Sequence, residues 1–487
     1  MKKSFKYILI AAVILFQTGC NDWLELRPPS GLIREEFWQS KEDVEAVLMA
    51  AYSTFSGLDD MMFIHGELRA DMVRGVNQGG ANLDLMNGNI YPDNWLANWE
   101  NFYKVINYAN EVIKNAPDVD DPTFTDFQLR GFMSEAYFLR SLAYFYLVRI
   151  WGDVPLVLEP TESDNVNVYL PKSPDDEVLD HITQDLLEAR LYLASNYLSV
   201  IETKSRASRE SCEALLADIA LWRFDYEAVV QHVQIIEDRD NIELMPSGRW
   251  FEMFYPGSSL ESIFEFHIDD RLEQRNKVYG LTDHTANSYF AVSNSAMQML
   301  SSFYTTEQRF RGERVTISRR GEDNYSIWKY VGLVPDGSTV RSGNLEASAN
   351  WIVYRYADVL LMKAEALSQL GRYNEALQYI NLIRDRAGAP AINPSQTPIV
   401  FEDAIMNERA LELAYEGKRW FDLVRMGRRN DYARRDKLVE IIIQNVPSTQ
   451  KRILASKLTN PLGWYMPVYK NELERNLNLE QNPYYNR

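Results

Sequence analysis

The sequence predicts a mostly α-helical fold: antiparallel helix pairs form a right-handed scaffold, carrying a loop-rich elaboration and a few short strands. Three observations predict it. Residues 351–388, WIVYRYADVLLMKAEALSQLGRYNEALQYINLIRDRAG, hold two apolar stripes at helical spacing on either side of a Gly-Arg-Tyr break. Residues 135–156, EAYFLRSLAYFYLVRIWGDVPL, are apolar almost all round, as a helix packed on several sides must be. Between residues 239 and 350 helical spacing mostly fails, and Gly, Ser, Asn, Asp, Arg and aromatic residues accumulate.

In the 351–388 pair, Tyr354, Ala357, Leu361, Ala364, Leu367 and Leu370 line the first helix. Ala376, Leu377, Ile380 and Ile383 line the second. Ala364 and Ala376 are small enough for close backbone approach, and Gly371 suits the left-handed position that ends the first helix. Gly-x-Tyr-x-x-Ala at such a turn is similar to the tetratricopeptide pattern, whose units stack because no pair buries its apolar face alone. Nothing in this stretch is chemically reactive, so it is a scaffold, and function is sought on the loops it carries.

Taken in order, Ser40-Lys41-Glu42-Asp43 forms a capping box opening a helix with Val44, Val47, Leu48, Ala51 and Phe55 on one face. Residues 57–94 lose periodicity and are expected to be a long functional loop. Helical spacing returns with Trp95, Trp99, Phe102, Ile106 and Ile113 and stops before Pro117. Thr125 to Gln128 forms a second capping box, starting the central helix that Gly152 and Pro155 end. Arg140 and Arg149 on that helix are expected in buried ion pairs with acidic helix residues. Ser173-Pro174 starts a further helix, and residues 208–224 and 226–238 make another pair. A strand is expected over residues 262–268 and a short helix over 295–303. Residues 402–428 are helical, with Glu408, Glu412 and Glu416 at four-residue spacing, and the Asn- and Pro-rich tail is expected along the surface. The basic run Arg425, Arg428, Arg429, Arg434, Arg435 reads as a solvated face.

Composition excludes several classes. With 487 residues and 46% apolar content the chain can build a large core. A net charge of -18 argues against nucleic acid and against electrostatic adsorption to an anionic bilayer. Met1 to Lys6 is a basic leader, Tyr7 to Phe16 is an apolar run too short to span a bilayer, and Gln17-Thr18-Gly19-Cys20 follows. This resembles a bacterial lipoprotein signal, in which Cys20 becomes the acylated (palmitate-bearing) N-terminus. The competing reading is a buried thiol near an ordinary cleavage site. Cys212 then has no partner and reads as a small core residue. No other segment is long and apolar enough to cross a membrane as a helix, so lipid is the expected attachment. The expected divisions are a signal peptide at 1–19, a helical N-terminal part at 20–238, the elaboration at 239–350 and a C-terminal part at 351–487.

The segments at 135–156, 354–388 and 472–485 (ELERNLNLEQNPYY), with NERALELAYEGKRWFDLVRMG at 407–427, together resemble the SusD/RagB family of outer-membrane nutrient-binding lipoproteins. The resemblance implies a helical fold with four tetratricopeptide-like pairs supporting a loop-rich half. It also implies an outer-membrane, cell-surface location and a TonB-dependent, SusC-like transporter over which the lipoprotein acts as a lid. Known ligands of such proteins are often glycans. Asn21-Asp22-Trp23 places one acidic residue after the cysteine, in keeping with surface export.

A sugar-binding site needs exposed aromatic faces for pyranose C–H groups, beside planar amide, carboxylate or guanidinium groups for hydroxyl pairs. Residues 71–95 offer Asp71, Arg74, Asn77, Tyr91, Asn94 and Trp95; the elaboration offers Tyr279, His284, Asn287, Tyr289, Tyr325 and Trp328. Core packing is the competing reading for Trp95, and the expected one for Trp99 and, beside Lys329-Tyr330, for Trp328. Enzyme signals are poor. The five histidines lack metal-ligand spacing, no G-x-S-x-G or phosphate-binding loop is present, and no cofactor or metal is expected. Acidic pairs such as Asp175-Asp176 would serve a glycosidase, but among 69 acidic residues such a pair carries little weight, and this one fits a helix first turn. The expected function is capture of a glycan or oligosaccharide for a transporter. The alternatives are a transporter lid with no ligand of its own, a binder of peptides or another nutrient, and a glycoside hydrolase.

Overall fold

Helix starts follow the predicted caps. In this computed structural model, which describes residues 37–76, 79–161, 169–282, 288–301, 317–319, 325–334, 337–393 and 397–486, helix α1 (Lys41–Ser56) opens on Ser40. The Ser40 side chain accepts from Asp43 N, and the Asp43 carboxylate accepts from Ser40 N at 2.8 Å. Val44, Val47, Leu48, Ala51 and Phe55 are buried, as their spacing requires. The leader and Cys20 lie outside the described residues.

Residues 57–94 are not the irregular loop that their lost periodicity predicts. They contain helix α2 (Asp59–Glu67), strand β1 (Val73–Gly75) and the short helix α3 (Ala81–Met86). Every residue of α2 except Asp60 is buried, so it carries no polar stripe for a periodicity argument to find. Gly66 makes this burial possible. A β-carbon there would lie 2.0 Å from the Gly417 carbonyl oxygen, so two backbones touch at this crossing.

Helix α4 (Glu100–Asn115) and the central α5 (Asp126–Trp151) pack side by side, α5 opening on the Thr125/Gln128 box. From Ser134 to Trp151 all of α5 but Tyr137 is buried, and Gly152, at φ +76°, ends it. Arg140 donates to Asp185 on α6 (Asp175–Ala189) at 2.9 Å, and Arg149 pairs with Asp218 at 3.3 Å. Both predicted buried ion pairs are present. Beyond α7 (Val200–Ser205), Asp218 belongs to α8 (Arg209–Trp222), which pairs with α9 (Tyr226–Glu237). Cys212 on α8 is a buried free thiol whose pKa burial pushes well up, as suits a core residue.

The elaboration contributes β2 (Ser262–Phe266), α10 (Lys277–Thr282), β3 (Phe290–Val292), α11 (Asn294–Ser301), β4 (Ile317–Arg319) and β5 (Tyr325–Ile327). The described strands form three antiparallel pairs, β1–β3, β2–β6 and β4–β5, where β6 is Trp351–Arg355. Strand β6 corrects the helix expected from residue 351 onward. Trp-Ile-Val-Tyr is β-branched and aromatic, and all five β6 residues are buried against β2. The predicted hairpin then follows as α12 (Tyr356–Gln369) and α13 (Tyr373–Arg386), with Gly371 at φ +76° in the turn.

Helices α14 (Pro398–Glu412) and α15 (Arg419–Tyr432) replace the single run expected over 402–428, and Glu416 sits in the connection. The basic run is not a solvated face. Arg425 and Arg429 are buried on Glu365, with further bonds to Asp422 and Glu402, and Arg434 pairs with Glu402 and Asp403. Arg428 lies over the Trp222 ring, and the Arg435 side chain, 41% exposed, pairs with its neighbour Asp436. Long-range carboxylates draw these side chains inward, and sequence spacing along one helix does not show such partners. After α16 (Arg435–Ile442), α17 (Ser448–Leu458) and α18 (Lys470–Arg475), the tail closes on the core. Met466 N donates to Ile150 O at 2.8 Å and Trp151 Nε1 to Pro467 O at 3.1 Å. Among the described residues no helix is long and apolar enough to cross a membrane.

Candidate glycan-binding site

The two stretches that supply the candidate residues meet in space. Strand β1 pairs antiparallel with β3 in the register Val73↔Val292, Arg74↔Ala291, Gly75↔Phe290. The pairing is extended at both ends: Val76 N donates to Tyr289 O at 2.9 Å, and Ser293 N donates to Met72 O at 3.0 Å. Residue 289 is thereby held beside residue 76. The Tyr289 side chain is 46% exposed. Arg74 is half-buried on β1, its Nε donating to Val292 O at 3.1 Å.

Two further aromatics stand in solvent on the segment between α3 and α4. Tyr91 is 59% exposed and Trp95 51% exposed. Trp95 begins a single 3-10 turn, Trp95–Ala97, and does not continue the α4 helix. Trp99, at the start of α4, is buried against Tyr103 and Trp151, as expected of a core residue. The change of helix type between residues 95 and 99 removes the shared face that their four-residue spacing predicts. Tyr325 is half-buried on β5.

Four candidates are withdrawn from the surface, each for an identifiable reason. Asp71 is buried, its carboxylate gripped by Arg419 at 2.7 and 3.0 Å. Burial opposes the Arg419 charge, but Asp71 outweighs it and holds the guanidinium pKa above its ordinary value. Asn94 is a buried cap: its Oδ1 accepts from Leu96 N at 3.0 Å, and its Nδ2 donates to Ala81 O at 3.2 Å. Tyr279 and Trp328 share a small apolar cluster with Phe251 and Val331. The Tyr279 hydroxyl donates to Glu346 at 2.7 Å and the Trp328 indole to Val334 O at 2.8 Å. Asn77, His284 and Asn287 lie outside the described residues.

No group of three or more His, Cys, Asp and Glu among the described residues is placed to hold a metal ion. Residues 241–485 match the SusD family, and residues 22–221 match a family described as starch-binding and associating with the outer membrane. The chain belongs to the SusD family. SusD-family proteins bind glycans at the outer membrane and do not catalyse. This SusD-family chain is 29% identical to SusD-like protein P38 of Formosa agariphila, the match covering 99% of this chain and 100% of the relative. It is 27% identical to SusD-like protein P2 of the same organism, with 99% of each covered. A SusD homolog from Bacteroides thetaiotaomicron superposes with a TM-score of 0.73 at 26% identity, covering 92% of this chain and 100% of that one. A laminarin-binding SusD-like protein superposes at 0.72 and 22% identity, covering 92% and 100%, a likeness of fold alone.

The sequence reading missed a cleft that adjoins the candidate site. Residues 442–454, at the α16–α17 corner, face β1 and α3 across a cleft. Their only signal was Val446-Pro447, an apolar-Pro break between two helices, which marks a corner without saying what lies beside it.

Proposed function

We propose that the protein is a lipid-anchored, cell-surface binding protein that captures a glycan or oligosaccharide for import through a SusC-like TonB-dependent transporter. Cys20 is the acylated residue, and Tyr91, Trp95 and Tyr289 are the stacking surfaces, with Arg74 beside Tyr289. One observation carries the reading. Tyr91, Trp95 and Tyr289, each about half exposed, stand on irregular segments of the two candidate stretches, which the β1–β3 pairing brings together; Phe127 and Tyr169 are comparably exposed on other segments. The match of residues 22–221 to a family described as starch-binding and associating with the outer membrane supports a saccharide as the ligand, and a SusD-like protein of the same fold is described as laminarin-binding.

Calorimetry of the mature protein against oligosaccharides, peptides and glycopeptides tests capture. Binding to an oligosaccharide is expected, and Trp95→Ala should weaken it by about tenfold, with smaller losses for Tyr91→Ala and Tyr289→Ala. All three side chains are exposed, so the melting temperature should hold. Silence across the panel would leave only the transporter-lid role, and peptide binding alone would replace the glycan with another nutrient. Mass spectrometry of the membrane-extracted N-terminus tests acylation at Cys20, and co-purification tests the transporter.

A further inference from the structure

A cleft of about 420 Å³ opens between α3, β1 and the α16–α17 corner. Its apolar wall includes Val73, Val76, Leu83, Met86, Val446 and Leu454. Val76 and Leu83 hold large apolar side chains in solvent at 36% and 41% exposure. Covering them would release ordered water.

Several polar groups around the cleft are already engaged. Arg69 donates to the carbonyls of Gly463 and Trp464, and Asn445 Nδ2 donates to those of Asp71 and Val73. Arg74 is tied through Nε to Val292 O. A sugar ring laid on the wall of Val73, Val76, Leu83, Met86, Val446 and Leu454 would give up the water on its hydroxyls to side chains that offer no comparable hydrogen bonds. A flat apolar ring would not suffer that loss.

The cleft is also continuous with the candidate site. Strand β1 supplies Val73, Arg74 and Gly75 to its lining, and Val76, which follows, is bonded to Tyr289. We propose that this cleft receives an aromatic substituent, an aryl aglycone or an aromatic acyl ester, carried by the captured glycan. The proposal rests on the capture reading and names its ligand class. Met86 and Arg74 in the wall favour a ring over an alkyl chain, because a thioether and a guanidinium both attract aromatic rings. The volume lies within the range of small-ligand pockets, about 300–1,000 Å³.

The test compares each oligosaccharide of a panel with its para-nitrophenyl glycoside, by calorimetry on the mature chain. At least one aryl glycoside should bind about tenfold tighter than its parent sugar. Leu83→Asn or Val76→Asn should bring the pair to within about twofold while leaving the parent sugar's affinity in place. Both positions are at the surface, and an unchanged melting temperature shows that the variants fold. Equal affinity for aryl and parent sugars overturns the inference and leaves capture standing. A preference that persists in both variants also overturns it, because the ring then sits elsewhere. Failure of every sugar to bind, with or without the ring, overturns the inference and the capture reading together.

Discussion

Arg355→Met is expected to destabilise the protein by roughly 3–5 kcal/mol, the cost of leaving buried carboxylates without their cation. Arg355 ends β6 and is almost wholly buried. Its guanidinium donates to Glu261 and Glu412 at 2.7 Å, to Glu416 at 2.8 and 3.0 Å, and to the Glu412 carbonyl at 2.6 Å. Arg386 reaches Glu261 and Glu412 from α13, and Lys329 reaches Glu416 from the elaboration. Burial pulls the Arg355 pKa down, but the three carboxylates outweigh it and hold it well above its ordinary value. Lys329 is the weaker partner: burial lowers its pKa to about 8 in spite of Glu416. Methionine fills the volume and removes the charge, so the remaining cations must serve three carboxylates in a site closed to water. Denaturant unfolding monitored by tryptophan fluorescence measures the loss. A change below about 1 kcal/mol would show that Arg386 and Lys329 suffice and that Arg355 is not the centre of the network.

The network also explains how far the sequence could be read. Caps and stripes are local, so Ser40, Thr125 and the turn at Gly371 lie where the residues place them. Arg140 and Arg149 could be assigned to ion pairs because a charge inside an apolar helix has few other options. Asp71 could not be assigned in that way. Its partner Arg419 is 348 positions away, and an Asp in a Gly- and Asn-rich stretch looks the same whether solvent or a guanidinium holds it. Tyr279 failed for the same reason, since composition separates loop from helix but not covered loop from open loop, whereas Trp328 is buried as its structural reading required. Tyr91, Trp95 and Tyr289, on similar loop composition, remain at the surface. That difference between the rings is tertiary, set by which segments pack over them.

A second large effect should appear as pH dependence at the α2 crossing. Glu67 is wholly buried; its Oε1 accepts from Gly417 N at 2.9 Å and Lys418 N at 3.2 Å, and Oε2 has no hydrogen-bond partner among the described residues. Burial raises its pKa to about 8, against the pull of those backbone donors and Arg419. In the unfolded chain the same group ionises near pH 4.5. Between those values the folded state keeps a proton that the unfolded state has released, so stability falls as pH rises across this window. Below it both states are protonated and the full stabilisation is present; above it both are ionised and the stabilisation is gone. Asp59, at the other end of α2 with a pKa raised to about 7 by burial and by Asp60, adds a slope of the same sign. Glu67→Gln keeps the accepting oxygen, mimics the protonated acid and removes the titration. The wild type should therefore lose on the order of 3–4 kcal/mol more than Glu67→Gln between about pH 5 and pH 8.5, with the variant the more stable of the two at the upper end. The general repulsion of a chain with net charge -18 acts on both proteins alike and cancels in the difference. Urea unfolding of the pair at three pH values decides it, and parallel traces would mean that Glu67 is ionised in the folded state from acid pH upward.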